Sequence, residues 1–228
     1  MKKKVNKLRV AIDGPAASGK NTLAKQIAKK YKLLHLDSGK LYRYFALQVH
    51  QSQDQKINYT KLKQALKKLT LKKLKDKRLT TEPVTKIASI ISKKKRIRQM
   101  LKKVQHDLAY NPPKKFKGSI LDGRVIGTVI MPDAHVKVYL TASLNVRAIR
   151  RYKEYKKMGI KTTLGRVKSD IKKRDYEDTH RKISSLKPAK DAVLLDSSFY
   201  NTKAAFVEID EVIRNEIKRL NATKHKSL

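Results

Sequence analysis

The chain has 228 residues, with 57 Lys and Arg against 19 Asp and Glu for a formal charge of +38, and no cysteine. That length gives one domain with a sizeable core and room for a small insert. The lack of cysteine excludes a disulfide scaffold, a thiolate metal site and a cysteine nucleophile.

The positive charge has two readings. One is a nucleic-acid binder. The other is a surface drifted to lysine by a composition bias of the whole proteome. The lysines run along the entire chain without interleaved aromatics of the stacking kind, which favours the second reading. Weak, salt-sensitive adhesion to nucleic acid follows in either case. The first four residues are basic, as in a signal peptide, but the apolar stretch after them is short and broken by Asp13. A cytoplasmic protein with no membrane segment is therefore expected.

The first element is an apolar run over residues 8–12, followed by Asp13-Gly14-Pro15-Ala16-Ala17-Ser18-Gly19-Lys20-Asn21-Thr22. Strand, glycine-bounded turn and helix start make a phosphate-binding loop. Gly14 and Gly19 allow backbone angles that turn N–H groups toward an anion. Lys20 brings a point charge to the β- and γ-phosphates, and Thr22 offers a hydroxyl near a magnesium ion. Ser or Thr usually follows the lysine directly; here Asn21 does, and Thr22 comes one later. Lys20-Asn21-Thr22 is similar to the Lys-Gly-Thr variant of nucleoside monophosphate kinases, with Asn for Gly.

A helix to Tyr31 carries Leu23, Ala24, Ile27 and Ala28 at helical spacing. Residues 33–37 read as a short buried strand, and Ser38 as the N-cap of a helix bearing Leu41, Arg43, Phe45 and Leu47. Arg43 is either a surface arginine or a ligand for an acceptor phosphate. Two lysine-rich stretches, 59–69 and 71–79, read as solvated helices or as a helix and a hairpin. Pro83 allows a helix start near Glu82, and a second helix spans 96–109 until Asn111-Pro112-Pro113 ends it.

Residues 119–122 form a third strand, and Asp122 at its C-terminal end would point into a ligand crevice. Residues 136–140 alternate as a strand. Ser143 caps a helix that ends at Gly159 and bears Arg147, Arg150 and Arg151. Those arginines are either a solvated basic face or a lid closing over a transferring phosphoryl group. A helix over 164–176 runs into a mixed cluster in which Arg174, Asp178 and Arg181 share a face. An acid between two arginines stays ionised. Residues 192–196 form the last strand, and Phe206, Ile209, Ile213, Ile217 and Leu220 face inward on a C-terminal helix before a polar tail from Ala222. Strands alternating with helices predict an α/β doubly wound parallel sheet.

Together these stretches resemble bacterial cytidylate kinase. The likeness is carried by Ile12-Asp13-Gly14-Pro15, Gly19-Lys20, Leu36-Asp37-Ser38-Gly39, Tyr42-Arg43, Asp122-Gly123-Arg124, Gly127-Thr128-Val129, Pro132-Asp133-Ala134, Ile171-Lys172 with Arg174-Asp175, Pro188-Ala189 and Leu195-Asp196-Ser197. The resemblance implies a P-loop NTPase fold of adenylate-kinase type in a monomer. It implies a core at about 8–38 and 118–220, an acceptor-binding insert at about 39–117 and a lid at about 150–182. It implies magnesium-dependent transfer of the ATP γ-phosphate to CMP or dCMP. By position, Gly14, Pro15, Ala16, Ala17, Ser18, Gly19, Lys20, Asn21 and Thr22 would hold ATP, with Thr22 at the metal. Arg43, Arg124 and Arg181 would hold the acceptor phosphate, with Ser38 and Asp122 also in the acceptor site. Ser89 and Arg98 would read cytosine, and Arg174 and Asp178 the ribose. Lys20, Arg124, Arg150 and Arg151 would stabilise the transferring group. No covalent nucleophile is expected, because phosphoryl transfer asks mainly for positioning and charge neutralisation.

Three positions depart from the family pattern. Val125 stands where members have an aspartate beside the cytosine amino group, Thr80 where an arginine is expected, and Asn21 within the loop. Val125 opens the alternative of a relaxed kinase for UMP and CMP. The charge and Asn21 open a second, a nucleic-acid-binding protein that keeps the kinase scaffold.

Overall fold

The computed structural model describes residues 7–52, 54 and 56–225, with side chains to 222. The basic start at residues 1–6 and the end of the expected tail at 226–228 lie outside it. The chain divides into two compact units, one of residues 1–36 and 108–228 and the other of residues 37–107.

The first unit is built on a five-stranded parallel sheet: β1 Leu8–Asp13, β2 Leu34–Asp37, β3 Gly118–Gly123, β4 Val136–Thr141 and β5 Val193–Asp196, in the order β2-β3-β1-β4-β5. β1 lies in the middle and pairs with β3 and β4, so Val10 sits beside Ile120 on one side and Val136 on the other. A central strand covered on both faces must be apolar on both, which is why Val10, Ala11 and Ile12 of β1 are apolar in succession and buried. β5 is an edge strand and leaves Val193 and Leu194 exposed.

Helix α1, Lys20–Tyr31, buries Leu23, Ala24, Ile27 and Ala28. The last helix of the chain, Thr202–His225, packs on the same core through Ile209 and Ile213. It runs three residues past the expected tail boundary at Ala222. Asp210 joins the two helices, accepting from the Tyr31 hydroxyl at 2.8 Å and pairing with Lys30 at 2.6 Å. Two more helices of this unit, Leu144–Lys157 and Leu164–His180, form a separate small core of Ala148, Val167 and Ile171. Ser143 caps the first of them as expected, its Oγ accepting from the Val146 N–H.

The second unit contains α2 Ser38–His50, α3 Tyr59–Lys67 and α4 Glu82–Ile91, and α5, Lys95–Tyr110, begins in it. Leu41, Phe45, Leu62, Leu74, Leu79, Val84, Ile91, Ile97 and Leu101 are its fully or nearly fully buried side chains. Two sequence expectations change here. Asp37, rather than Ser38, is the N-cap of α2, and Ser38 opens the helix. The stretch 71–79 is neither helix nor hairpin but two short 3-10 turns, Lys73–Lys75 and Lys77–Thr80. The Asp76 carboxylate between them accepts from the Arg78 backbone N–H and pairs with the Arg78 guanidinium, which stops either turn from propagating. Among the described residues, no helix is long and apolar enough to cross a membrane.

Numbered in chain order with these, the helices of the first unit are α1, α6 (Leu144–Lys157), α7 (Leu164–His180) and α8 (Thr202–His225).

Candidate active site

The register places the C-terminal ends of β1, β3 and β4 together: Asp13 lies beside Gly123 on one side and Tyr139 on the other. The loop 14–19 leaves β1 at this edge, and Arg124 follows β3 there. Gly14 adopts φ +146°, and an added Cβ would stand 2.0 Å from the Leu140 carbonyl oxygen. The loop therefore passes β4 at a distance that only glycine permits. Gly19, at φ +94°, is the N-cap of α1 and offers no side-chain cap, so the first turn of that helix presents its N–H groups to the loop.

Lys20 opens α1 and folds back into the loop. Its Nζ donates to the Pro15 carbonyl at 2.6 Å and to Ser18 Oγ at 3.0 Å. Neither partner is charged. Burial pushes the ammonium well below the ordinary lysine range, and the nearby Arg124 guanidinium pushes the same way, against Asp122 and Asp13. The ammonium feels the Asp122 and Asp13 carboxylates but makes no direct ion pair with either. Around the same loop, α6 and α7 grip Ala16: the Arg147 Nη1 donates to its carbonyl at 3.2 Å, and its N–H donates to Asp175 at 3.4 Å. Arg147 and Asp175 also pair directly. Arg147 is buried, so it is not part of a solvated basic face on α6.

In the sequence Asp13 counts as a break in an apolar run and as part of the Ile12-Asp13-Gly14-Pro15 likeness, with no role of its own. It is nearly fully buried, and its two carboxylate oxygens accept from the N–H groups of Ile126 at 2.8 Å and Gly127 at 2.7 Å. Burial raises its pKa, opposed by those two N–H groups and then by Lys20. The N–H groups belong to a π-type turn, Ile126–Ile130, that directly follows Arg124-Val125. One carboxylate thus ties the end of β1 to the segment carrying Arg124. Asp13→Ala leaves two buried donors unsatisfied and is expected to cost about 2–5 kcal/mol of stability. Denaturant unfolding checks this; a loss under ~1 kcal/mol would mean that the turn finds other acceptors.

Arg124, Asp178 and Arg181 come together. Arg124 Nε donates to one oxygen of Asp178 at 2.8 Å, and Arg181 Nη1 donates to the other at 3.1 Å. Burial would raise the Asp178 carboxyl, but Arg124, then Arg174, bring it below its ordinary value. The acid expected between two arginines is therefore present, although its nearer pair is Arg124 and Arg181. α7 extends to His180, four residues beyond the expected helix, and Arg181 is its C-cap. Arg174, within α7, lies near enough to act electrostatically on both Lys20 and Asp178. Asp122 is buried at the end of β3 and bonds His35 at 2.7 Å, a β2 residue that sequence reasoning did not single out.

The two other α6 arginines are placed differently. Arg150 donates to Ser197 Oγ at 3.0 Å and to the Ser197 carbonyl at 2.7 Å, in the segment after β5. Ser197 in turn reaches the Ser18 carbonyl at 3.4 Å, so that segment adjoins the loop. Arg151 pairs with Glu154 on its own helix and lies over the Tyr155 ring. Asn21 is half-buried directly after Lys20, while the Thr22 side chain is exposed on α1. Val125 is buried.

The remaining expected residues lie in the second unit. Ser38 is buried at the head of α2. A Cβ on Gly39 would come within 3.0 Å of the Asp37 carboxylate and 3.5 Å of the Arg43 guanidinium, so those two groups gather around Gly39. Ser89 on α4 and Arg98 on α5 meet at Ser92: its Oγ donates to the Ser89 carbonyl at 2.8 Å, and its own carbonyl accepts from Arg98 at 3.2 Å. Thr80 is exposed.

Comparison with known proteins gives the family. The family model for cytidylate kinase matches residues 10–219. A cytidylate kinase of Ligilactobacillus salivarius is 38% identical over 95% of this chain and 97% of its own length. One of Bradyrhizobium diazoefficiens is 42% identical over 90% of this chain and 96% of its own. Among solved structures, an uncharacterized protein from Eubacterium ventriosum superposes with a TM-score of 0.54 at 12% identity, covering 91% of this chain and 98% of that one. That likeness concerns the fold alone. By the family match and the two relatives together, the chain belongs to the cytidylate kinase family.

Proposed function

We propose that this chain transfers the γ-phosphoryl group of ATP to CMP or dCMP, giving ADP and CDP or dCDP. The observation that carries the reading is the buried Lys20 ammonium, bonded only to a carbonyl and a hydroxyl beneath the N-terminus of α1. Triphosphate oxygens supply the direct ionic partner that this ammonium does not have within the protein. Loop 14–22 cradles the phosphates of ATP, and Lys20 sits at the β–γ junction, where charge develops as the bond breaks. Arg124 and Arg181, held in orientation by Asp178, are the first unit's groups for the acceptor phosphate; in the second unit Arg43 is assigned to the same phosphate and Ser38 to the acceptor. Ser89 and Arg98 read the base, and Arg174 and Asp178 the ribose; both Asp178 oxygens keep lone pairs beyond the two arginine bonds. Arg150 and Arg151 close over the transferring group. The work of the protein is to fix two anions in line and neutralise them, so no covalent nucleophile is needed.

Magnesium fits this arrangement as an ion carried largely by nucleotide phosphates. Such sites are built mostly from substrate oxygens and water, with one or two protein oxygens beside them. Asp122, Asn21 and Thr22 are the protein groups that would border it. The ion supplies neutralisation of the β- and γ-oxygens. The protein acts as a monomer.

The reading is tested by ADP formation with CMP, dCMP, UMP and AMP as separate acceptors. Turnover with CMP and dCMP, and far weaker turnover with UMP, is the expected pattern. UMP at parity would make Val125 the mark of a relaxed pyrimidine kinase, and no turnover of any pyrimidine would overturn the reading.

A proton linkage follows from Lys20. Its pKa is depressed in the free protein, and bound phosphates favour the charged form and raise it. In the pH interval between the free and bound values, ATP binding takes up a proton, and affinity falls as pH rises through that interval. Titration calorimetry in two buffers of different ionisation enthalpy, repeated across pH, is expected to show uptake rising toward one proton within that interval. Lys20→Met should abolish the uptake; an unchanged buffer dependence would assign it elsewhere.

A further inference from the structure

The positive charge is not evenly spread. Residues 56–103 carry fifteen lysines and three arginines against two acids, Asp76 and Glu82. That stretch, about a fifth of the chain, holds +16 of the total +38. A general drift of surface positions to lysine explains the charge of the rest, but not a stretch nearly three times as dense. All fifteen lysines are exposed. They stand on α3 (Lys61, Lys63, Lys67), the two 3-10 turns (Lys73, Lys75, Lys77), α4, the α4–α5 turn and α5, around the buried Leu62, Leu74, Leu79, Ile91 and Ile97. Like charges at this density destabilise the compact unit that carries them, and a polyanion removes that cost.

We infer that the exposed lysines of residues 56–103 form a binding surface for the phosphodiester backbone of nucleic acid, read without sequence preference and separate from the catalytic groups. The chemistry selects this partner. Lysines are point charges that suit phosphates but lack the forked geometry that reads base edges. Tyr59 is the only aromatic in the stretch, and the Arg96 guanidinium already lies 4.3 Å from its ring centroid, so base stacking is absent from the design. A lipid surface fits less well, because membrane-lying helices expose an apolar face and Ile90 is the one large apolar side chain exposed in this stretch among the described residues. Ser89, Arg98 and Arg43, assigned above to the acceptor, are not among the lysines that make up this surface.

The test compares two charge-matched variants with the wild type. One replaces Lys63, Lys67, Lys72, Lys75, Lys94 and Lys102 by Gln. The other replaces Lys25, Lys29, Lys114, Lys187, Lys190 and Lys203, all exposed and in the first unit. Thermal melting confirms that each is folded. Binding of a 20-nucleotide single strand, a duplex of the same sequence and anionic vesicles is measured across a salt series. Each phosphate contact contributes about 0.7 to the slope of log K on log salt for single strands and about 0.9 for a duplex. The first variant is expected to bind nucleic acid on the order of thirty-fold more weakly at low salt and to lose several contacts from the slope. The second should change by less than about three-fold. Equal losses in both variants, no binding by the wild type at low salt, or tighter binding to vesicles than to either nucleic acid would each overturn the inference.

Discussion

Lys20→Met is expected to lower kcat with CMP by about 10³-fold and at the same time to make the protein more stable. The first effect follows from position. A positive charge aimed at the β–γ junction acts most strongly in the transition state, and removing one such group typically costs two to three orders of magnitude. The second follows from burial. The ammonium is nearly fully buried and finds only the Pro15 carbonyl and Ser18 Oγ. A methionine fills similar space without the desolvation cost, and strained catalytic groups are often traded for stability in this way. A gain of about 1–2 kcal/mol is expected. Steady-state kinetics and denaturant unfolding on the same preparation decide the matter. Activity and stability falling together would make Lys20 a structural post for the loop. Activity falling while stability rises identifies a charge kept for the reaction.

The parts of this site that sequence reasoning reached are those written contiguously. The loop from Gly14 to Thr22 is legible because strand, turn and helix start adjoin in the chain and because glycine is required at particular angles. Asp178 beside Arg181 is legible because the two lie three apart in the chain, whereas Arg124, its other direct partner, comes from another element and leaves no spacing to read. Asp13 was not legible as a tie. Its partners are backbone N–H groups of Ile126 and Gly127, more than a hundred residues away, and backbone groups leave no mark in a sequence. The one available signal was a carboxylate ending an otherwise apolar strand. Arg147 misled for a related reason. On helical spacing it belongs with Arg150 and Arg151, but Ala16 and Asp175 draw it inward, and neither is near it in the chain. The stretch 71–79 misled because leucines set among lysines at 71, 74 and 79 follow neither period strictly, and the local bonds of Asp76 select a third outcome.

Arg124 is expected to be the second most sensitive position, and Arg124→Lys to be nearly as damaging as Arg124→Ala. Its guanidinium is divided: Nε is used on Asp178 and Nη1 on the Gly123 carbonyl at 3.3 Å. Burial acts to lower its pKa, but Asp178 outweighs it, so the group stays charged and fixed. A lysine keeps the charge, but its three donors share one nitrogen on a flexible stem, so it cannot hold Asp178 and an acceptor phosphate in fixed directions at once. A fall in kcat/KM of about 10²–10³ is expected for either substitution. The cause can be separated from simple loss of charge through Asp178. Asp178→Asn releases Arg124 and Arg181 from their shared anchor without removing either cation, so it should raise KM for CMP and leave KM for ATP close to wild type. If Asp178 works by aiming Arg124, the double variant should be little worse than Arg124→Lys alone, with a coupling of about 1–3 kcal/mol in transition-state free energy. Strict additivity would mean that the two residues serve the acceptor independently, and the ion pair seen between them would then have no part in aligning the phosphates.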